Sequence, residues 1–300
     1  MPDAPQDIIP AGEAPPERPK VPSVRAPLGA CDAHVHMLAG PGERPMNPGR
    51  IEEPAAGRRY ADWMALFREH LDTLGCTRAV IVQSILYGTD NDVTVETVRS
   101  LGRAARGIAL VREDVSDRHL DELADEGIVG VRLNYVHGGV LSWEGAKRLA
   151  PRLAARGMHL QMLLHADKHM VEVAGDIADL PVPLVLDHVG WPTDLGVGTE
   201  DRGFQTLLRL VGEGRVHVKL SGVYRLCEPP YEAADPFVAA LAEANPEACL
   251  WGSDWPHIML NGAGMPDAGV LLDAFMRAVP SASARQTILV DAPARLYGFD

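Results

Sequence analysis

Short apolar runs alternate along this chain with longer stretches whose apolar residues recur at helical spacing. Eight runs rich in Val, Ile and Leu predict strands at 31–37, 79–85, 107–111, 129–135, 158–165, 183–189, 216–221 and 248–253. Helical patterns lie between them, for example at 62–74, 94–105, 117–126, 143–156, 204–211 and 236–244. Strands that alternate with helices pair in parallel, and eight such repeats favour closure. The pattern therefore predicts an α/β fold, a TIM-like (β/α)8 barrel.

The first 28 residues have a different composition. They contain eight prolines and few large apolar side chains, so they cannot bury enough surface to fold alone. We expect residues 1–28 to form a Pro-rich N-terminal arm and residues 29–300 to form a single barrel domain. A barrel of this kind typically needs about 250 residues.

Charge and cysteine content narrow the range of partners. The 28 basic and 41 acidic residues give a net charge of −13, which argues against binding to nucleic acid or to an anionic membrane surface. The four cysteines are scattered without a C-x-x-C pair, as is typical of a reducing compartment, so we expect a cytoplasmic protein. No apolar run reaches the roughly 18 residues that span a membrane. The predicted partner is a small molecule, and a homo-oligomer is left open.

Polar residues gather where the predicted strands end. In a (β/α)8 barrel the chemistry lies at the carboxyl ends of the strands. Taken singly, such residues are more often structural, but together they predict an active site at one mouth of the barrel. The strand-end residues are His34, His36, Gln83, Arg132, Asn134, His165, Asp187, His188, Lys219, Ser221, Asp254 and His257.

Five segments together resemble the amidohydrolase superfamily, and within it the branch of 2-pyrone-4,6-dicarboxylate lactonase. They are Asp32-Ala33-His34-Val35-His36, Val131-Arg132-Leu133-Asn134, Asp187-His188-Val189-Gly190, Leu250-Trp251-Gly252-Ser253-Asp254-Trp255-Pro256-His257 and Pro293-Ala294-Arg295-Leu296-Tyr297. The resemblance covers nearly the whole chain after the arm. It implies a distorted barrel of the amidohydrolase type and hydrolysis of a lactone, in a branch that often works without a metal.

The resemblance also implies catalytic roles. By position, Asp254 would activate water, while His34, His36 and His188 would orient and polarise the lactone carbonyl. The chemistry of these residue types agrees. A carboxylate within hydrogen-bond reach of a water is a competent base, and an imidazole can donate to the oxygen on which charge develops.

Two arginines coincide with residues that hold substrate carboxylates in that lactonase. They are Arg132 and Arg225, and guanidinium suits this task because its donors form a planar fork that matches a carboxylate. The other residues expected to contact the substrate are Gln83, Ser221 and His257. The expected substrate is therefore an anionic lactone.

The chain departs from the lactonase pattern at three places. A third arginine corresponds to Gly138 here, and two tyrosines are replaced near Glu52 and Leu163. We therefore expect a lactone that has fewer carboxylates than the pyrone dicarboxylate, or another acid group.

No cofactor is expected, and one divalent metal, Zn or Mn, is the alternative. Metal-dependent amidohydrolases combine a His-x-His pair with a fifth-strand histidine and the last aspartate, so the ligands would be His34, His36, His165 and Asp254. Arg132 stands where a lysine would be carboxylated to bridge two ions. A binuclear site is therefore not expected.

The sequence predicts a lactone hydrolase that acts in the catabolism of aromatic or sugar acids. The first alternative is a mononuclear metal-dependent decarboxylase or hydratase of the amidohydrolase type on the same scaffold. The second is a ligand-binding barrel without chemistry, against which the presence of both the His-x-His pair and Asp254 argues.

Overall fold

Eight parallel strands form one sheet whose spatial order is the order of the sequence. The structure, a computed structural model, describes residues 9–300, so the first eight residues of the predicted arm lie outside the described residues. The strands are β1 (Cys31–Val35), β2 (Arg78–Val82), β3 (Ala105–Ala109), β4 (Ile128–Asn134), β5 (His159–Leu163), β6 (Leu184–Leu186), β7 (Val216–Leu220) and β8 (Cys249–Trp251). The predicted (β/α)8 barrel is confirmed.

Helices connect the strands on the outside of the barrel. They are α1 (Tyr60–Leu74), α2 (Asp92–Leu101), α3 (Asp117–Asp125), α4 (Trp143–Ala154), α5 (Ala166–Ala178), α6 (Arg202–Gly212), α7 (Asp235–Ala244), α8 (Ala268–Ala278), α9 (Ala282–Gln286) and α10 (Ala292–Tyr297). Several begin where the sequence offers a capping side chain. Ser142 accepts a bond from the backbone N–H of Gly145 at the start of α4, and Asp201 accepts bonds from Gly203 and Phe204 at the start of α6. No helix among residues 9–300 is both long and apolar enough to cross a bilayer.

Backbone bonds between the segments after β8 and β1 close the barrel. The N–H of Asp254 donates to the carbonyl of His34 at 2.9 Å, and the N–H of His36 donates to the carbonyl of Trp255 at 2.7 Å. These bonds fix the position of Asp254 relative to the His-x-His pair. The two ends of the chain therefore meet at one mouth of the barrel.

A buried carboxylate strengthens the same junction. Asp32 accepts a bond from the backbone N–H of Ser253 at 2.9 Å and a second from Nε2 of His70, on α1, at 2.9 Å. Both side chains are buried. Removing one partner would leave a polar group unsatisfied in the core, which typically costs about 1–3 kcal/mol.

Residues 9–28 contain neither a helix nor a strand beyond the isolated bridge between Ala11 and Glu53. The backbone N–H groups of Lys20 and Ser23 donate to Asp267 and Asp273, at 3.1 and 2.7 Å. This segment thus contacts α8 and its N-cap. The division into arm and barrel domain stays a prediction.

Candidate active site

Three histidines surround one aspartate at the carboxyl end of the barrel. Oδ1 of Asp254 lies 3.6 Å from Nε2 of His34 and 3.5 Å from Nε2 of His36. Oδ2 lies 3.8 Å from Nε2 of His188. All four side chains are buried. We call these residues the His–Asp cluster, and they are the four that the sequence analysis assigned to catalysis.

Each histidine of the His-x-His pair is oriented by a contact at its own Nδ1 atom. His36 donates from Nδ1 to the carbonyl of Val82 at 2.8 Å, which leaves Nε2 without a proton in the neutral ring. Nδ1 of His34 lies 3.2 Å from Oδ1 of Asp187. Burial, followed by the charge of Lys219, holds the pKa of His34 well below its ordinary value. Both rings therefore present Nε2 to Asp254.

His188 follows β6 in a left-handed conformation, with φ of 55°. Its Nδ1 lies 3.0 Å from the Ser221 hydroxyl, and a Cβ on Gly222 would lie 2.6 Å from the same nitrogen, so only glycine fits there. Burial lowers the pKa of His188 to about 4, so the ring is neutral near pH 7. Ser221, a predicted substrate contact, thus lies beside the Nδ1 edge of His188.

Asp254 is ionised, and its two oxygens differ. Oδ2 accepts a bond from the Tyr224 hydroxyl at 2.8 Å and one from Nε of Arg225 at 3.0 Å, and Nη2 of Arg225 lies 2.9 Å away as an ion pair. Burial acts to raise the pKa of Asp254, but the opposing contributions, led by the charge of Arg225, outweigh it and hold this pKa well below its usual range. Oδ1 is buried and makes no hydrogen bond. The residue also has φ of 66°, a conformation that costs roughly 1–2 kcal/mol in a residue with a Cβ.

The two predicted carboxylate-binding arginines differ in how many donors they have free. Arg225 also donates to the carbonyls of Ile258 and Met259, at 3.0 and 2.9 Å, in addition to Asp254. Arg132, on β4, donates to the carbonyl of Gln83 at 2.8 Å and otherwise lines the cavity above the cluster. Arg132 is therefore the arginine with donors available to a ligand.

A buried polar network lies beneath His34. Nζ of Lys219, on β7, donates to Oε1 of Gln161 at 2.7 Å and lies 3.4 Å from Nδ1 of His34 and 4.0 Å from Oδ1 of Asp187. Gln161 in turn donates to Oδ2 of Asp187 at 3.2 Å. Burial lowers the pKa of Lys219 to about 8. Sequence reasoning missed Gln161, and the only signal was a polar side chain between two apolar ones in the fifth strand.

The Gln83 side chain forms hydrogen bonds with the segment that follows β2. Its amide donates to the carbonyls of Gly88 and Asp90 at 3.0 and 2.6 Å, and its oxygen accepts from Thr94 at 2.6 Å. It is not among the residues that line the cavity. Its backbone carbonyl, which binds Arg132, is the part that reaches the site.

His257 and His165 lie at the edge of the cluster. The backbone N–H of His257 donates to the carbonyl of Asp254 at 2.8 Å, and burial lowers the pKa of its ring to about 3. His165 is half-buried, and its Nδ1 lies 2.9 Å from the carbonyl of Trp191. The ring of Trp191 packs against both His165 and His188. Its centroid lies 5.3 Å from that of His165 and 5.7 Å from that of His188.

Three members of the cluster have the spacing of a metal site. Ligand atoms of His34, His188 and Asp254 lie within 4.8 Å of one another, and among the described residues no other group of three qualifies. His34 Nε2 and Asp254 Oδ1 are buried without a partner. Two imidazoles and one carboxylate suit one Zn²⁺ or Mn²⁺. His36 and His165, two of the predicted ligands, are outside this group.

Two connected cavities open above the cluster. The inner one, about 60 Å³, is lined by four residues of the site, His36, His188, Arg225 and Asp254. The outer one is about 530 Å³. Six residues line both cavities: Ile85, Arg132, Asn134, His137, Met259 and Asn261.

Comparison with known proteins gives consistent matches over most of the chain. A family described as amidohydrolase matches residues 31–299. The chain is 35% identical to a 2-pyrone-4,6-dicarboxylate hydrolase of Comamonas testosteroni, over 93% of each chain. It is 33% identical to a 4-sulfomuconolactone hydrolase of Rhizobium radiobacter, over 98% of each. An apo crystal structure from Agrobacterium tumefaciens superposes with a TM-score of 0.81 at 26% identity, covering 93% of this chain and 99% of the other.

Proposed function

Since the chain belongs to the amidohydrolase family, we propose that it hydrolyses a small lactone that carries a carboxylate. The two hydrolases to which the chain is similar act, by their names, on a pyrone dicarboxylate and on a sulfomuconolactone. The observation that carries the proposal is that Oδ1 of Asp254 has no hydrogen-bond partner. This oxygen is buried and unpaired, and Asp254 forms part of the inner cavity wall.

Asp254 and His36 are suited to hold the attacking water. Both Oδ1 of Asp254 and Nε2 of His36 are acceptors, because the Nδ1 proton of His36 is bound to Val82. A water that donates to both directs its lone pair at the carbonyl carbon of the lactone. Asp254 accepts the proton as the new C–O bond forms. Its low pKa makes it a weak base, so the transfer comes late, when bond formation has acidified the water.

His188 is suited to stabilise the carbonyl oxygen. When the Ser221 hydroxyl donates to Nδ1, the neutral ring carries its proton on Nε2, on the edge that faces Asp254. A hydrogen bond from Nε2 to the carbonyl oxygen strengthens as charge develops on that oxygen. The tetrahedral intermediate then collapses, the ring C–O bond breaks, and the proton held by Asp254 passes to the leaving oxygen. The product is an open chain with one more carboxylate.

The two arginines have different roles in this proposal. The available donors of Arg132 bind the substrate carboxylate as a charge-assisted contact. Arg225 mainly fixes Oδ2 of Asp254, which directs Oδ1 toward the water. The expectation that Arg225 also binds a substrate carboxylate stays a prediction, and the bonds to Ile258 and Met259 compete with that role.

A divalent ion fits His34, His188 and Asp254, where it would polarise the carbonyl and lower the pKa of a bound water. The cations Arg225 and Lys219 flank this set and oppose its affinity for another cation. We therefore expect activity without a metal. Nothing in the described residues favours the decarboxylase or hydratase alternative, and the cytoplasmic location stays a prediction.

Lactones with zero, one and two carboxylates, followed by release of acid, test the proposal. We expect kcat/KM to be highest for the lactone with one carboxylate and lowest for the neutral one. Arg132→Ala should remove this preference. Arg112→Ala, which removes an exposed arginine paired only with Asp114, should leave it unchanged. A neutral lactone that is the best substrate of both wild type and Arg132→Ala would refute the carboxylate role, and failure to open any lactone would refute the function.

A further inference from the structure

The outer cavity is larger than a carboxylated lactone ring requires. Its volume is about 530 Å³, compared with about 60 Å³ for the inner cavity beside the His–Asp cluster. That volume accommodates a substituent at least as large as the ring itself. It lies within the range typical of a ligand pocket, about 300–1,000 Å³.

The walls of the outer cavity are mainly apolar. Ile51 and Val140, from two different loops, keep 63% and 39% of their surfaces exposed. Large apolar groups left open to a concave space commonly mark a binding surface. The apolar lining residues are Ile51, Ile85, Leu110, Val140, Leu141 and Met259.

Two arginines line the outer cavity, and one of them is compensated by a carboxylate. Arg50 donates to Oε1 of Glu53 at 3.0 Å and to the carbonyl of Asn47 at 3.1 Å. Arg132, where the two cavities meet, is the other arginine of the lining, and no acidic side chain belongs to it. At Gly138 an added Cβ would find nothing within 4 Å. One anionic group is therefore expected near Arg132, and no second one beyond it.

We propose that the substrate carries an apolar substituent, an alkyl or aryl group of several carbons, which occupies the outer cavity. The lactone carbonyl lies in the inner cavity, the ring spans the junction of the two cavities, and its single carboxylate lies at Arg132. This inference rests on the proposed function for the position of the ring. The substituent extends past Ile85 toward Val140 and Ile51.

Binding of 4-alkylbenzoates tests the cavity without requiring turnover. These probes supply one carboxylate for Arg132 and a chain of adjustable length. Calorimetry should show Kd falling by up to about four-fold for each methylene added, from benzoate to the pentyl compound, as expected for burial of a CH₂ group. For substituted lactones, kcat/KM should rise in the same order.

Two variants from different loops of the lining, Val140→Trp and Ile51→Trp, fill the cavity. Each should bind benzoate within two-fold of wild type and lose most of the gain with chain length. Val171→Trp is the matched control, since Val171 lies on α5 with 43% of its surface exposed and lines neither cavity. This variant should retain the full gain.

The outcomes separate this inference from the proposed function. A Kd that does not change with chain length, absence of binding by the pentyl compound, or an equal gain in all three variants overturns the inference. Hydrolysis of an unsubstituted carboxylated lactone supports the function whatever the chain-length result. A chain-length gain that both tryptophans on the cavity walls abolish supports the cavity, even if no lactone in the panel is opened.

Discussion

The inner cluster and the outer cavity are adjacent but are built in different ways. In the cluster, each side chain lies at the end of a strand or just beyond it and is held by a defined partner, such as Val82 for His36 and Arg225 for Asp254. The outer cavity is lined mainly by the segments 47–51, 85–88, 137–141 and 259–261, which connect regular elements, and also by Arg132 and Asn134 of β4. The sheet thus fixes the chemistry, and the loops determine which substrate fits.

The largest effect should come from the cluster. Asp254→Asn preserves the shape but removes the proton acceptor, so kcat should fall on the order of 100-fold or more. The exposed Asp114→Asn serves as the control and should leave kcat unchanged. If a correctly folded Asp254→Asn protein kept a tenth of wild-type kcat, another group would have to be the base.

The next largest effect should come from the arginine where the two cavities meet. Arg132→Ala should lower kcat/KM by about 10- to 150-fold, mainly through KM, because it removes a charge-assisted bond worth roughly 1.5–3 kcal/mol. Arg225→Ala should instead lower kcat, because it releases Oδ2 of Asp254. Steady-state kinetics that give both variants the same change in KM and kcat would remove the distinction between the two arginines.

A smaller effect is expected from the network beneath His34. Lys219→Met should lower kcat about ten-fold, since Gln161 and Asp187 lose the cation between them. Wild-type kcat should also decline as pH rises through about 8, the pKa of Lys219, and the variant should lack this decline. The exposed Lys168→Met is the control. Identical pH profiles in wild type and Lys219→Met would exclude Lys219 from the titration.

The pKa of Lys219 also determines whether its contribution to folding stability rises or falls with pH. Burial places the pKa of Lys219 in the folded protein near 8, below its ordinary value of 10.5. Between these values the unfolded chain binds more protons than the folded one, so the contribution of Lys219 to stability rises with pH in that window. Urea unfolding of wild type and Lys219→Met at pH 7.5 and 9.5 measures it, and the difference between the two proteins should shift in favour of wild type at the higher pH.

The smallest effect is expected from chelation. Exhaustive removal of divalent ions should change kcat by less than two-fold, because Asp254 and His36 are suited to activate water without one. Metal analysis of the purified protein should accompany the kinetics. Loss of activity that Zn²⁺ or Mn²⁺ restores would make His34, His188 and Asp254 metal ligands and would end the assignment of a metal-free mechanism.

The sequence predicted the barrel well and the site's contacts less well. All eight strands lie within a few residues of their predicted positions, because burial on both faces produces apolar runs that are visible without structure. The approach of Asp254 to the His-x-His pair followed from closure. In contrast, the contact of Lys219 with Gln161 depends on which side chains face each other inside the barrel, and no spacing in the sequence reveals this.

The contacts of residues in loops were the hardest to predict from the sequence. Arg225 lies just beyond β7, and whether it contacts a substrate or Asp254 depends on the backbone path after that strand. His165 is the N-cap residue of α5, and its ring is directed to the carbonyl of Trp191. Strand-end position alone therefore identifies candidate residues but not the direction in which their side chains point.

The junction between Asp32 and Ser253 joins residues that are 221 positions apart. During synthesis, a ribosome that has released the first seven strands holds a chain in which His34, His36 and His188 do not yet face Asp254. Contacts of such separation also form slowly, since the intervening chain must be ordered first. We therefore expect a chain that ends before β8 to have no hydrolytic activity, however much of the barrel it has formed.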